Sequence, residues 1–246
     1  MPSFSKRSYK PELLDASDIP FADIKRNMEE LNVINTWLGG HAITISGVKK
    51  ILDQFENGKA DALKNPVICE IGCGGGDNLR AISKWLKDKN IRASYIGIDI
   101  NPHCIQIANT NTTMDEAVWL CSDYREVTFN NKPDIIFSSL FCHHFTDEEL
   151  TGMFKWMNDN AGAGFFINDL HRHPLAYHSI KLLTAVFSRS YLVKNDAPLS
   201  VLRGFSKKEL TTLMQQAGLV NCSIEWKWAF RWLVTVMIRR LAHQHT

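Results

Sequence analysis

Two histidine-rich stretches and one glycine-rich turn hold the residues of this chain best suited to chemistry. "CHH" at 142–144 and "NDLHRH" at 168–173 set imidazoles beside carboxylates, a combination that takes up and passes a proton near neutral pH. "VICEIGCGGGDNL", residues 67–79, sets an apolar run against four glycines in five positions. A strand that ends in close-set glycines and runs into a helix presents backbone N–H groups at the positive helix end, with no side chain in the way of a ligand.

The turn reads G-x-G-x-G, with Asp77 where the dinucleotide fingerprint G-x-G-x-x-G needs its last glycine, and no Gly-Lys-Ser/Thr follows to make a P-loop. Its neighbours carry more. "GIDI" puts Asp99 at a second strand end, where a carboxylate can accept two ribose hydroxyls. "CSDY" puts Asp123 and Tyr124 at a third, one able to accept from an adenine amino group and the other to pack on its ring. Three successive strand ends thus offer an adenosine site. Zinc ligation by "CHH" and "HRH" is disfavoured, since adjacent histidines on a strand end diverge and no ligand spacing recurs.

Positioning these groups takes a layered fold. From residue 67 the chain alternates strands ("VICEIG", "SYIGIDI", "AVWLCSD", "DIIFSSLF", "GAGFFINDL") with helices at 77–89, 102–109 and 147–158, the pattern of an α/β, doubly wound parallel sheet. Thr146 with Glu149, and Ser206 with Glu209, are capping boxes. Upstream, Ile24, Met28, Leu31, Ile34 and Leu38 predict an amphipathic helix stopped by Gly39-Gly40, and a short helix follows near 47–55. Alternate apolar residues from Ile224 to Ile238 predict two antiparallel strands joined near Ala229-Phe230, their tryptophans in the core. "PLAYHSIKLLTAVFS" predicts a helix with Leu175, Ile180, Leu183 and Phe187 buried, inside an insertion at 171–205 that covers the site. We therefore divide the chain into an N-terminal helical cover, 1–60, and a cofactor-binding domain, 61–246, with 171–205 as its lid.

The 246 residues suffice for one substantial core, and a net charge of +2 points to neither nucleic acid nor a membrane surface. The basic run from Arg172 to Lys208 reads as a solvated face. No apolar stretch reaches the roughly 20 residues of a bilayer span, no secretory signal opens the chain, and six cysteines without a CxxC pair fit reduced thiols in a cytoplasmic protein.

"EIGCGGG", "GIDINP" and "CSDY" together resemble the motifs of class I S-adenosylmethionine-dependent methyltransferases. "PDIIFSSLFCHHF" is similar to the quinone-biosynthesis type. "LGGHAITISG", "FINDLHRHPLAYHSIKLL" and "NDAPLSVLRGF" resemble bacterial methyltransferases associated with type III polyketide synthase operons, a secondary-metabolism setting. The resemblance implies a seven-stranded Rossmann-like sheet with the last strand antiparallel, and S-adenosylmethionine as cofactor. It also implies Glu70 near the methionyl amino group, Gly72, Gly74 and Gly76 along the methionyl chain, and Asp99 on the ribose. Ile100 would flank adenine, Asp123 would bind its amino group, and Leu140 would close the pocket.

Methyl transfer from a sulfonium demands alignment and dryness more than covalent help. A phenol or enol gains from a base. We expect His143 in that role, then His171, with Asp169 orienting an imidazole and one of His143 and His144 facing inward; His41 is a further candidate from the N-terminal cover. No metal is expected, because Ser138 and Ser139 put no carboxylate on the fourth strand. Phe141, Phe145, Tyr177 and Phe187 suit a small aromatic or alkyl-bearing acceptor. The partners expected are thus a small molecule and no nucleic acid, for a monomer or homodimer. Oxygen methylation is the first reading, with carbon methylation and a dinucleotide-dependent oxidoreductase as alternatives.

Overall fold

The computed structural model describes residues 2–16, 18–57, 65–110, 114 and 116–238. Seven strands form one sheet in the order β3-β2-β1-β4-β5-β7-β6. These are β1 Val67–Ile71, β2 Ser94–Asp99, β3 Ala117–Cys121, β4 Ile135–Ser139, β5 Gly164–Leu170, β6 Cys222–Lys227 and β7 Arg231–Met237. The first five run parallel, and β7 inserts antiparallel between β5 and β6. This is the Rossmann-like methyltransferase sheet expected, with its antiparallel last strand.

The strand order reverses where β1 pairs with β4. Connections leave those two carboxyl ends in opposite directions, so a crevice opens between them. Helix α3 (Asp77–Lys87) starts in that crevice. It packs Leu79, Ile82 and Leu86 on one face of the sheet, beside α2 (Gly40–Asn57), which supplies Val48 and Ile51. Helices α5 (Asp147–Asn160) and α8 (Lys207–Gln216) cover the other face with Leu150, Met153, Phe154, Leu210 and Met214. Both carry the capping boxes read from Thr146–Glu149 and Ser206–Glu209. Beside α4 (Pro102–Thr110), α1 (Phe21–Trp37) buries Ile24 against Cys104 and Ile107.

Several expectations change. Only Gly39, at φ +73°, breaks the chain after α1, while Gly40 already opens α2, which is therefore much longer than 47–55. The insertion holds two helices, α6 (Pro174–Phe187) and α7 (Tyr191–Arg203), the second running through Pro198. On α6 the buried residues are Ala176 and Thr184, whereas Leu175 and Phe187 are 62% and 78% exposed. Trp226 and Trp228 sit at an exposed hairpin end, and of that stripe Trp232 enters the core. Of the basic run, Lys181, Arg189, Lys194, Lys207 and Lys208 are exposed as a solvated face requires, while Arg172 and Arg203 are buried. Arg172 binds Glu209 and the carbonyls of Phe4 and Gly204, tying α8 and the N-terminal segment to the end of β5. Of the cysteines, Cys69, Cys73, Cys104 and Cys142 are buried free thiols and Cys121 is exposed. Among the described residues, no helix is long and apolar enough to cross a membrane.

Trp119 of β3 lies over Gly97 of β2 and behind Gly76, where a Cβ on either glycine would come within 2.3 Å of its ring. Gly97→Ala should therefore destabilise by about 1–3 kcal/mol through overpacking. Gly152→Ala in α5, with nothing within 4 Å, should be neutral or gain up to about 1 kcal/mol. Urea unfolding of both variants checks this, and equal midpoints would refute the packing role of Gly97.

Candidate active site

The crevice at the strand reversal is one continuous cavity of about 710 Å³, within the ~300–1,000 Å³ usual for small-molecule sites. Its floor is the glycine turn. Gly72 and Cys73 donate to the Ile98 carbonyl at 2.8 and 3.1 Å, folding the turn back over β2. Gly72 takes φ +69° with Phe141 where a Cβ would sit, and Gly74 takes φ +52°, so both need glycine. Gly75 lines the cavity as well. Gly76 does not: it caps α3 and is turned to Trp119, away from the methionyl position expected for it.

Three carboxylates stand at successive strand ends. Glu70, 1% exposed, accepts from Asn78 Nδ2 at 2.8 Å through Oε1, while Oε2 is buried with no partner. Burial raises its pKa well above the carboxylate range, and the nearby Asp77 and Asp99 add to this. Such an atom calls for a cation or a donor. Asp99 accepts from the Gly74 and Asn101 amides at 2.8 and 2.9 Å, one on each oxygen, which leaves lone pairs on both for hydroxyl donors. Asp123 accepts from the Arg125 amide at 2.9 Å and is forked by the Arg125 guanidinium, which holds its pKa down. A ligand amino group there has to share or displace an exposed arginine. Tyr124, Ile100 and Leu140 line the same cavity, Leu140 at φ +54° with its N–H on the Asn168 carbonyl.

The histidines divide. His143 and His144 both line the cavity, because residues Cys142–His144 form a 3₁₀ turn rather than an alternating strand end. His143 Nδ1 lies 2.8 Å from Asp169 Oδ1, which is 1% exposed and also accepts from the Leu170 amide. Asp169 thus orients the imidazole from behind, turning Nε2 toward the cavity and toward Glu12 at 3.6 Å. Burial alone would depress the His143 pKa. The Asp169 and Glu12 carboxylates outweigh it and raise the value to about 9, so His143 is an imidazolium at neutral pH. His144 Nδ1 is 2.9 Å from Asp15 Oδ1. Burial would raise Asp15, but His144, the Glu12 amide and Arg203 hold it at about 2. His171 is elsewhere: it does not line the cavity, its ring lies against Trp232 and His173, and burial with the charges of His173 and Arg172 lowers its pKa. His41 stands behind the wall, bridging Asn32 and Asn78 at 3.0 and 2.9 Å and so linking α1 to the Glu70 carboxylate. Of the four aromatic residues singled out, Phe141 and Phe145 line the cavity, and Tyr177 and Phe187 do not.

Sequence reasoning missed the N-terminal strap, residues 2–16, which closes the cavity over His143. Arg7 stacks on Phe205 and donates to the carbonyls of Arg203 and Phe145. Arg203 in turn donates to the carbonyls of Lys10, His143 and His144. Asp196 accepts from the amides of Leu13 and Leu14. The result is a buried Glu12, bonded to Ser200 Oγ at 2.8 Å, with its carboxylate 3.6 Å from His143 Nε2 and 3.8 Å from His144 Nε2. A segment without periodicity gives no hint of this. Asn78, by contrast, was readable as the amide that follows the glycine turn in the first turn of α3.

Residues 68–164 match the model of a family described as a methyltransferase domain. No curated protein sequence matches the chain. Among solved structures, the chain is similar to human N-acetylserotonin methyltransferase in complex with SAM, with 14% identity over 90% of this chain and 57% of that one and a TM-score of 0.59. It is similar to the plantazolicin methyltransferase BpumL in complex with a substrate analog and SAH, with 17% identity over 87% and 90% of the two chains and a TM-score of 0.56. Magnesium protoporphyrin IX methyltransferase from Synechocystis PCC 6803 with bound SAH matches at 14% identity over 80% and 83%, with a TM-score of 0.50. At these identities the likeness is one of fold. Residues 68–164 thus match a methyltransferase domain, and the seven-stranded sheet has the fold of these structures.

Proposed function

We propose that this chain transfers a methyl group from S-adenosylmethionine to an oxygen of a small phenolic, quinone-like or polyketide acceptor. The observation that carries the cofactor is Glu70 Oε2, buried and unpartnered beside a turn whose glycines leave the backbone bare. The methionyl ammonium would complete that carboxylate, the Gly72–Gly75 backbone would follow the methionyl chain, and Asp99 would accept the ribose hydroxyls. Ile100, Asp123 and Tyr124 line the part of the cavity left for adenine. When bound, S-adenosylmethionine supplies a methyl group activated on a sulfonium.

The acceptor oxygen would bond the methyl carbon as the carbon–sulfur bond breaks and S-adenosylhomocysteine leaves as a neutral thioether, and this chain has to take the proton the oxygen gives up. His143 is the candidate, with Nδ1 fixed by Asp169 and Nε2 open to the cavity. In its neutral form it takes the proton at Nε2, and the resulting imidazolium is held between Asp169 and Glu12. Protonated beforehand, it favours an acceptor already bound as the anion. Leu140, Phe141 and Phe145 would exclude water from this end of the cavity. In this reading residues 1–60 are the cover and 171–205 the lid, since the strap and α7 together enclose His143.

Titration of the protein with S-adenosylhomocysteine should give micromolar affinity, weakened by about ten-fold or more in Asp99→Ala, because a buried pair of acceptors is lost. NADH preferred over S-adenosylhomocysteine would sink the proposal. With an acceptor in hand, kcat/KM should climb from neutral pH to a plateau above about 9, where His143 loses its proton. In Glu12→Gln that climb should move to lower pH, because only Asp169 then holds the imidazolium. A profile of the same midpoint in both proteins would exclude His143 as the proton acceptor.

A further inference from the structure

Four arginines are buried among the described residues, Arg7, Arg172, Arg203 and Arg231. Three are paired with carboxylates: Arg7 with Asp147 at 2.7 Å, Arg172 with Glu209 at 2.7 Å and Arg203 with Asp15 at 3.3 Å. Arg231 is 3% exposed, donates one bond, from Nη2 to Asn35 Oδ1 at 2.8 Å, and leaves Nη1 buried with no partner. No carboxylate of the described residues pairs with it. Burial lowers its pKa to about 10, the nearby Asp169 opposing this, so the guanidinium stays charged at neutral pH. A buried cation without an anion is destabilising.

Its surroundings add to the demand for an anion. Arg231 stands opposite Leu170 across the β5–β7 ladder, and Leu170 and Asn35 both line the cavity. The guanidinium is therefore one side chain behind the wall at the acceptor end. It lies against Gly40, the first residue of α2, where a Cβ would come within 3.3 Å of Arg231 Cζ. The N-terminus of an 18-residue helix carries partial positive charge, so two positive groups share this corner.

We propose that the acceptor carries a carboxylate, and that Arg231 receives it, with Asn35 giving way at the cavity wall. This deepens the methyl-transfer reading and rests on it. The planar fork of a guanidinium matches a carboxylate in two parallel hydrogen bonds, which a neutral ring cannot supply. A hydroxyaryl or enolic carboxylic acid would then be anchored at β7 while its hydroxyl meets His143 at the end of β4.

The test is titration of the full chain, loaded with S-adenosylhomocysteine, with ring-matched pairs: salicylate against phenol, and orsellinate against orcinol. The carboxylates should bind about ten-fold tighter or better, the preference should vanish in Arg231→Met, and Arg231→Lys should retain part of it. Urea unfolding of the empty protein is the second measurement. Arg231→Met should be at least as stable as the parent, because it removes an unpaired buried charge; an arginine that serves only structure would leave the variant clearly less stable. Equal affinity within each pair, including no binding of either member, overturns the proposal, as does a preference that survives in Arg231→Met. Failure of S-adenosylhomocysteine itself to bind brings down the methyl-transfer reading instead.

Discussion

The reversal of strand order between β1 and β4 is the constraint from which the site follows. At every other parallel neighbour the connection covers the carboxyl end it leaves. Here one connection turns toward β2 and the other toward β5, and neither fills the gap. Glu70, in the central strand at that gap, is shut in by sheet and helix on every side except the crevice. Asn78, in the first turn of α3, is the partner the fold gives it, and one oxygen is left over. The glycines follow from the same geometry: a chain that must turn at once from β1 into α3 while passing under Phe141 has no room for Cβ atoms.

The second organising interaction is the ion network that seats the N-terminal strap. Guanidinium groups are costly to bury, and Arg7 and Arg203 are tolerated because several backbone carbonyls and a carboxylate apiece satisfy them. Both also bind the carbonyl side of the 3₁₀ turn that carries His143 and His144. The strap therefore fixes the backbone of the proton-handling residues as well as covering them. With Asp169 behind His143 and Glu12 in front, each ring nitrogen of the imidazolium faces a carboxylate, which fixes the orientation of the ring.

How much of this could be read from the chain depends on the range of the interaction. The alternation of strands and helices, both capping boxes and the antiparallel tail are local, set by period and by residues three or four apart, and they stand in the fold as read. Asp99 and Asp123 were placed because strand ends in such a sheet must face one edge, whereas Glu70 and Leu140 came only from the family resemblance. Glu12 was invisible, since Arg7 and the His143 carbonyl it binds are 136 residues apart and no pattern in the strap marks it. The exposed face of α6 was misjudged because apolar residues at helical spacing were assumed to have a partner. Helix α7 escaped notice because Pro198 lies within it, and α2 was shortened because one of two glycines was wrongly given the role of stopping a helix. His143 and His144 show the same limit at closer range: strand alternation would let one of them face the cavity, and the tight turn admits both.

Two of the buried groups left incomplete are of opposite sign and stand on strands of this sheet, Glu70 Oε2 on β1 and Arg231 Nη1 on β7. Had the fold brought them together they would pair and neither would serve a ligand. β4 and β5 stand between them in the sheet, which at ~4.8 Å per strand separates their positions by about 14 Å. Neither can relieve the other, so each adds to the cost of the empty protein and each can be relieved by bound charge. This asymmetry also selects: a neutral competitor fills space but leaves the buried group unpaired, and that penalty discriminates more strongly than a missing methylene. His143 rises from the end of β4, between the two. The edge thus runs from a carboxylate suited to a cation, through the imidazole proposed to take a proton, to a guanidinium suited to an anion, and the order of the strands sets the order of these groups.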